Sequence, residues 1–206
     1  MTADDAVNDP TPGRIVPRWE WRTFGSDFGA AEATFAALEP ELTQESDEIY
    51  LLSPGTDAAV KIRAGLIDVK RLEHVNEAGL EQWRPEMKAS FPLPRGEADR
   101  ACAELRVSAL GPGADRLSLD EFLTLLATPE RGVRAVPVHK RRRHYSVNGC
   151  MTEVTDVVAE GGQVRTLAIE SPDAGRVIAT VEDLGLSNRE NTSYPRWLKA
   201  AVSRDG

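Results

Sequence analysis

The sequence predicts an α+β fold: an antiparallel sheet large enough to close on itself, with helices in its connections and at its C-terminal end. Three observations predict it. Alternating segments recur along the chain and are joined by hairpin turns such as Asn148-Gly149. Helical spacing of apolar residues is confined to connections and the tail. Several strands carry one apolar face and one face that mixes Lys or Arg with Glu.

Residues 15–24 alternate and read as the first strand. In "DFGAAEATFAALEPEL", Phe28, Ala31, Phe35 and Leu38 lie at helical spacing among alanines, predicting a helix over about 27–38. "DEIYLLS" (47–53) and "AAVKIRAG" (58–65) are strands joined by the turn "SPGTD", and "LIDVKRLEHV" continues the pattern after Gly65. The turn-like "NEAG" (76–79) leads into "LEQWRPEMKASF". Two helical patterns follow, "GEADRACAELRVSAL" and "SLDEFLTLLAT", separated by "GPGAD". The second opens on Ser118 with Glu121 three residues on, a capping-box spacing. Strands return as "VRAVPVHKRRRHYSV", "CMTEVTDVVAE" and, after Gly161-Gly162, "VRTLAIES". Helices close the chain near 172–184 and 195–203. The sum is seven or eight strands arranged as hairpins.

The 206 residues, 41% of them hydrophobic, suit one globular domain over 15–206 behind a short disordered lead, the acidic, Pro/Gly-rich 1–14. That lead has no apolar core of a signal peptide, and no apolar run approaches the ~18 residues of a membrane span. Cys102 and Cys150 lack metal or redox spacing and suggest a reducing cytoplasm. A net charge of −8 weighs against nucleic acid as a partner. It leaves room for a small polyanion, because the basic residues cluster at Lys61–Arg71 and Lys140–Arg143.

Parity within each strand makes the charged faces explicit. Arg18, Glu20 and Arg22 share one side of the first strand; Lys61 and Arg63 share another, as do Asp68 and Lys70. Arg84, Glu86 and Lys88 fall on one face, opposite Trp83 and Met87. Lys140, Arg142 and His144 oppose Arg141, Arg143 and Tyr145, and Ala168 pairs in parity with Glu170. A solvated outer face explains any one such strand. Repetition over five or six strands favours a closed barrel instead, whose polar interior holds a shared polyanionic counter-ion and whose scattered acids hold a divalent metal.

"WEWRTF", "VKIR", "IDVK", "VHKRRRHY", "EVTD" and "AIES", in that order, resemble the CYTH superfamily of triphosphate tunnel metalloenzymes. The family signature runs from an ExExK strand through RxR, a lone Lys and a KxRxxY-like strand to acidic positions on two late strands. "DLGLSNRENTSYPRWL" (183–198) is similar to a C-terminal segment of bacterial members. The resemblance spans roughly 15–200 and implies an eight-stranded antiparallel tunnel that binds triphosphate-type substrates with Mg²⁺ or Mn²⁺. Three departures stand out. Arg18 occupies the first Glu position of ExExK, Lys61 the first Arg of RxR, and Ala168 the first Glu of the late ExE.

The expected substrate cradle is Arg22, Lys61, Arg63, Lys70, Arg84, Lys140 and Arg142, since Arg grips phosphate oxygens bidentately and Lys adds point charge. Glu20 and Glu170 are the expected catalytic carboxylates and metal ligands, with Glu153 and Glu86 as further ligands; Asp156 competes with Glu153 for its role. The leading expectation is metal-dependent hydrolysis of inorganic triphosphate or a related polyphosphate compound, by a cytoplasmic monomer or homodimer. The alternatives are a non-catalytic polyphosphate or nucleotide sensor, motivated by Arg18 and Ala168, and a nucleotide cyclase.

Other features read as structural. The "KRRR" run at 140–143 alternates on a strand rather than forming a basic patch, and His74, His139 and His144 lack ligand spacing. Trp19, Trp21 and Trp83 are expected to pack outside the barrel against helices, and Trp197 to anchor the last helix. "GPGAD" lacks the Lys-Ser/Thr of a phosphate-binding loop.

Overall fold

The computed structural model describes residues 17–160 and 162–203; the lead expected at 1–14 lies outside them. Along the chain the elements are β1 (Arg18–Gly25), α1 (Ala31–Ala36), β2 (Leu42–Ser53), β3 (Thr56–Arg63), β4 (Leu66–Val75) and β5 (Glu81–Ser90). The two-residue strand β6 (Leu93–Pro94) precedes α2 (Arg95–Glu104), and β7 (Arg116–Leu117) precedes α3 (Leu119–Leu126). Then come β8 (Arg134–Val147), β9 (Cys150–Ala159), β10 (Gly162–Ser171), α4 (Ala174–Asp183) and α5 (Tyr194–Val202).

Eight of these strands close into an antiparallel barrel in the order β1-β10-β9-β8-β2-β3-β4-β5. Hairpins supply most of that order. Asn148-Gly149 joins β8 to β9 with φ values of 51° and 70°, the left-handed pair that a tight two-residue hairpin requires. Ala64-Gly65 does the same between β3 and β4, with φ values of 49° and 72°. The barrel closes where β1 meets β5, placing Arg18 opposite Trp83 and Glu20 opposite Glu81. The capping box at α3 is complete: the Glu121 amide donates to Ser118 Oγ, and the Ser118 amide donates back to the Glu121 carboxylate.

The apolar strand faces turn outward beneath helices. Over β2–β5, Leu51, Val60, Ile67, Val69 and Met87 pack under Ala98, Cys102 and Leu105 of the α2 segment and Phe122 and Leu126 of α3. Over β1 and β8–β10, Trp21, Tyr145, Val154, Leu167 and Ile169 pack under Phe28, Phe35, Val177 and Val181. A third cluster lies inside the barrel. Tyr50, Leu52, Val136, Val138 and Val157 meet Tyr194, Leu198 and Val202 of α5, so the last helix fills one end of the barrel. Lys199 fastens it there, donating to the Asp57 carboxylate at 2.7 Å. Cys102 and Cys150 are both buried and unpaired. Among the described residues no helix is long and apolar enough to cross a membrane.

One expected face is corrected. The β4–β5 register pairs Val69 with Met87 and then Lys70 with Pro85, leaving Glu86 unmatched in a bulge. The extra residue reverses parity, so Trp83 turns into the barrel and Arg84 turns out. Trp19 and Trp21 do face outward, with Trp19 edge-on to His74 at 6.0 Å.

Candidate functional site

The unfilled end of the barrel is a cavity of about 380 Å³, lined by Arg22, Lys61, Arg63, Lys70, Lys140, Arg142 and His144 and by Glu20, Glu153 and Glu170. They come from inward positions on six strands, β1, β3, β4, β8, β9 and β10, brought together by closure. Tyr50 and Trp83 add aromatic wall, and Ser193, Tyr194 and Pro195 at the start of α5 form the floor.

Two carboxylates tie the cations together. Glu48 on β2 has no exposed side-chain surface; Lys140 Nζ lies 3.0 Å away, Arg63 3.5 Å and Lys61 3.9 Å, and Arg142 donates to the same carboxylate. Burial pushes the Glu48 carboxyl up, but Lys140, Lys61 and Arg142 outweigh it and hold it down to about 2. Glu153 on β9 accepts from Thr155 Oγ1 at 2.8 Å and lies 3.5 Å from Arg22 and 3.6 Å from Arg142. Its burial is likewise outweighed, by Arg22, Arg142 and Lys140, and it too sits at about 2. Both carboxylates are therefore counter-charges for the cradle.

The cations divide into two kinds. Arg22 is buried, which alone would weaken its charge, yet Glu20 (2.8 Å) and Glu153 raise it well above the ordinary arginine value. Lys140 donates to Tyr50 Oη at 2.7 Å and lies 3.4 Å from the centre of the Tyr194 ring. Burial holds its ammonium well below the ordinary lysine value, and Lys61 is lowered for the same reason.

Glu20 and Glu170 stand directly opposite each other across β1 and β10. Burial, and then repulsion from Glu20, raise the Glu170 carboxyl. Half-exposed Arg18 reaches 4.0 Å from Glu170 and lies 2.8 Å from Met151 Sδ at the rim. Among the described residues, no group of three or more His, Cys, Asp or Glu side chains is arranged to hold a metal ion. The donor chemistry of the pair nevertheless suits one. Mg²⁺ uses one or two carboxylates and completes its octahedron with substrate oxygens and waters. A cation between Glu20 and Glu170 would relieve the repulsion that, after burial, raises Glu170.

Of the residues expected from sequence, the cavity gathers Glu20, Arg22, Lys61, Arg63, Lys70, Lys140, Arg142, Glu153 and Glu170. It does not gather Arg84 or Glu86. The bulge puts them on the outer surface, where Arg84 lies 3.1 Å from Glu73 and Glu86 lies 3.7 Å from Arg71. Asp156 also faces out, 3.4 Å from Arg143 and 3.6 Å from Arg165, so Glu153 is the inward acid of β9. Glu48 and Tyr50 were missed, although Gln44, Ser46, Glu48 and Tyr50 alternate on β2. So was Glu81, a buried acid on β5 that accepts from Trp83 Nε1 at 3.1 Å and from Arg196 of α5.

No protein-family model and no curated protein matches the chain. Solved structures that match the chain include the PH1012 protein of Pyrococcus horikoshii OT3 (15% identity, 86% of this chain and 97% of that one, TM-score 0.48). HpAC1 from Hippeastrum, described with a dominant triphosphatase activity, matches at 11% identity over 91% and 96% with a TM-score of 0.49. The bh2851 protein of Bacillus halodurans, provisionally described as an adenylate cyclase, matches at 11% over 87% and 93% with a TM-score of 0.48. The barrel is the architecture that the sequence resemblance implied. Likenesses at this level say nothing about chemistry, which rests on the lining itself.

Proposed function

We propose that this chain is a CYTH-type phosphohydrolase that binds a triphosphate or other short polyphosphate compound in the barrel and hydrolyses it with Mg²⁺ or Mn²⁺. The observation that carries this reading is the cavity wall: six Lys/Arg side chains and three carboxylates converge on about 380 Å³. Phosphoryl transfer asks a protein mainly to position the chain and neutralise its charge. Arg22, Arg63 and Arg142 offer planar forks to phosphate oxygens, while Lys61, Lys70 and Lys140 add compact charge. Glu48 and Glu153 keep those cations from repelling one another before the substrate arrives. Glu20 and Glu170 would hold the divalent cation, which when bound neutralises phosphoryl oxygens and helps orient water.

Phosphate release from tripolyphosphate with Mg²⁺ or Mn²⁺ is the direct test, and Glu20→Ala or Arg63→Ala should abolish it. No phosphate from tripolyphosphate, thiamine triphosphate or ATP under any divalent metal would overturn the enzyme reading.

A specific observation favours one second reading, a non-catalytic sensor. Arg18 supplies Glu170 with a protein counter-ion at 4.0 Å, and Ala168 removes a carboxylate between Arg22 and Glu153. Tight, metal-independent binding of tripolyphosphate without turnover, measured by calorimetry, would select it.

A further inference from the structure

Resting on that reading and sharpening it, we propose that the N-terminal end of α5, with Ser193 Oγ and Tyr194 Oη, seats a terminal phosphoryl group. The substrate then enters free phosphate end first, with any esterified end toward the rim.

Three observations meet at the floor. Ser193 is the N-cap of the nine-residue helix α5, with extended backbone (φ −75°, ψ 161°), yet its side chain makes no capping hydrogen bond. A serine here ordinarily turns its oxygen onto the amides of the first turn. Pro195 removes one of those amides, and Ser193 Oγ is left buried without a partner among the described residues, in a residue only 4% exposed. Tyr194 Oη is the second such orphan among the described residues, buried and without a partner, in a residue 7% exposed. Both residues line the cavity.

An unsatisfied buried hydroxyl costs stability, so two together at one floor point to an absent acceptor. The surroundings specify its charge. The Tyr194 ring carries Lys140 Nζ 3.4 Å from its centre and Arg22 Cζ 4.7 Å from it, two cations bracketing the same side chain. The helix begins at this point, and a helix N-terminus favours negative charge. Two hydroxyl donors, two cations and a helix start together suit a tetrahedral anion with several free oxygens.

Geometry supplies the direction. Behind the floor, Tyr194, Leu198 and Val202 pack against Tyr50, Val136 and Val138. That apolar filling leaves no passage for a nucleoside or other ester group beyond the seat. A terminal phosphoryl group, with no substituent past its own oxygens, can occupy it. Glu20 and Glu170, which face each other on β1 and β10, flank the chain nearer the rim, where Arg18 lies.

Calorimetry on the full chain tests this. Ser193→Ala and Tyr194→Phe should each weaken tripolyphosphate binding roughly ten- to hundredfold, the range for hydrogen bonds to a charged group. Among the described residues neither hydroxyl has a protein partner to lose, so thermal unfolding of both variants should stay at or above the wild-type temperature. In a second arm, wild-type protein should bind ATP, which has a free phosphate end. It should bind a dinucleoside polyphosphate, esterified at both ends, far more weakly. Equal binding of the two, or wild-type affinity in both hydroxyl variants while Arg63→Ala loses it, overturns the seat and leaves the phosphohydrolase reading standing. Absence of any tripolyphosphate binding by the wild type overturns both.

Discussion

Glu48 touches Lys61, Arg63, Lys140 and Arg142 and has no exposed surface, so its charge bears on four neighbours at once. Glu48→Gln should destabilise the fold by roughly 3–5 kcal/mol in urea unfolding, because it leaves buried cations uncompensated. Glu48 and Glu153 also set an acid limit. Both are lowered from 4.5 to about 2, so their stabilisation is fully present above the ordinary value and is lost as pH falls from there through about 2. Stability followed between those limits should fall less steeply in Glu48→Gln. On the alkaline side, burial makes Lys140 and Lys61 give up their protons more readily than ordinary lysines. A bound polyanion favours the charged form, so binding at mildly alkaline pH should take up protons. Calorimetry in two buffers of different ionisation enthalpy reads that uptake directly. Parity alone found most of the lining, since Arg22, Lys61, Arg63, Lys140 and Arg142 sit on regular strands. Glu48 escaped because "DEIYLLS" (47–53) reads as an apolar strand with a lone inward acid, and the polar alternation Gln44, Ser46, Glu48, Tyr50 shows only over the longer β2.

Element by element, local signals were legible and non-local ones were not. The Ser118–Glu121 box is a four-residue pattern whose bonds depend only on neighbours, and it forms as the spacing implies. Ser118→Ala should cost about 0.5–2 kcal/mol in urea or thermal unfolding. The bulge at Glu86 is different. "EQWRPEMK" alternates acceptably as a straight strand, and only pairing with β4 reveals the unmatched residue. This one slip removed Arg84 and Glu86 from the site and brought Trp83 into it. Helix α5 reads from sequence as an ordinary amphipathic tail; its place inside the barrel depends on partners about 140 residues away, such as Thr56 and Asp57. Leu198→Ala should destabilise by roughly 2–5 kcal/mol, since Leu198 is wholly buried against strands that cannot collapse onto the gap.

The whole molecule separates its charge. It is acidic overall, at −8, yet concentrates Lys and Arg on the inner wall of a closed sheet. Affinity for tripolyphosphate should fall as ionic strength rises, while duplex DNA, too wide for the cavity and repelled by the acidic exterior, should not compete in the same assay. Fold class was legible because hairpin turns and strand parity both point to a closing antiparallel sheet. The filled end was not, and it has a kinetic meaning. Among the described residues α5 fills one end of the barrel, so a ligand of the cavity enters and leaves by the opposite end and must back out before the next can follow. On the proposed phosphohydrolase reading, long phosphate polymers would be shortened from their tips, never threaded through, and spent phosphate would compete with incoming chains for the same doorway.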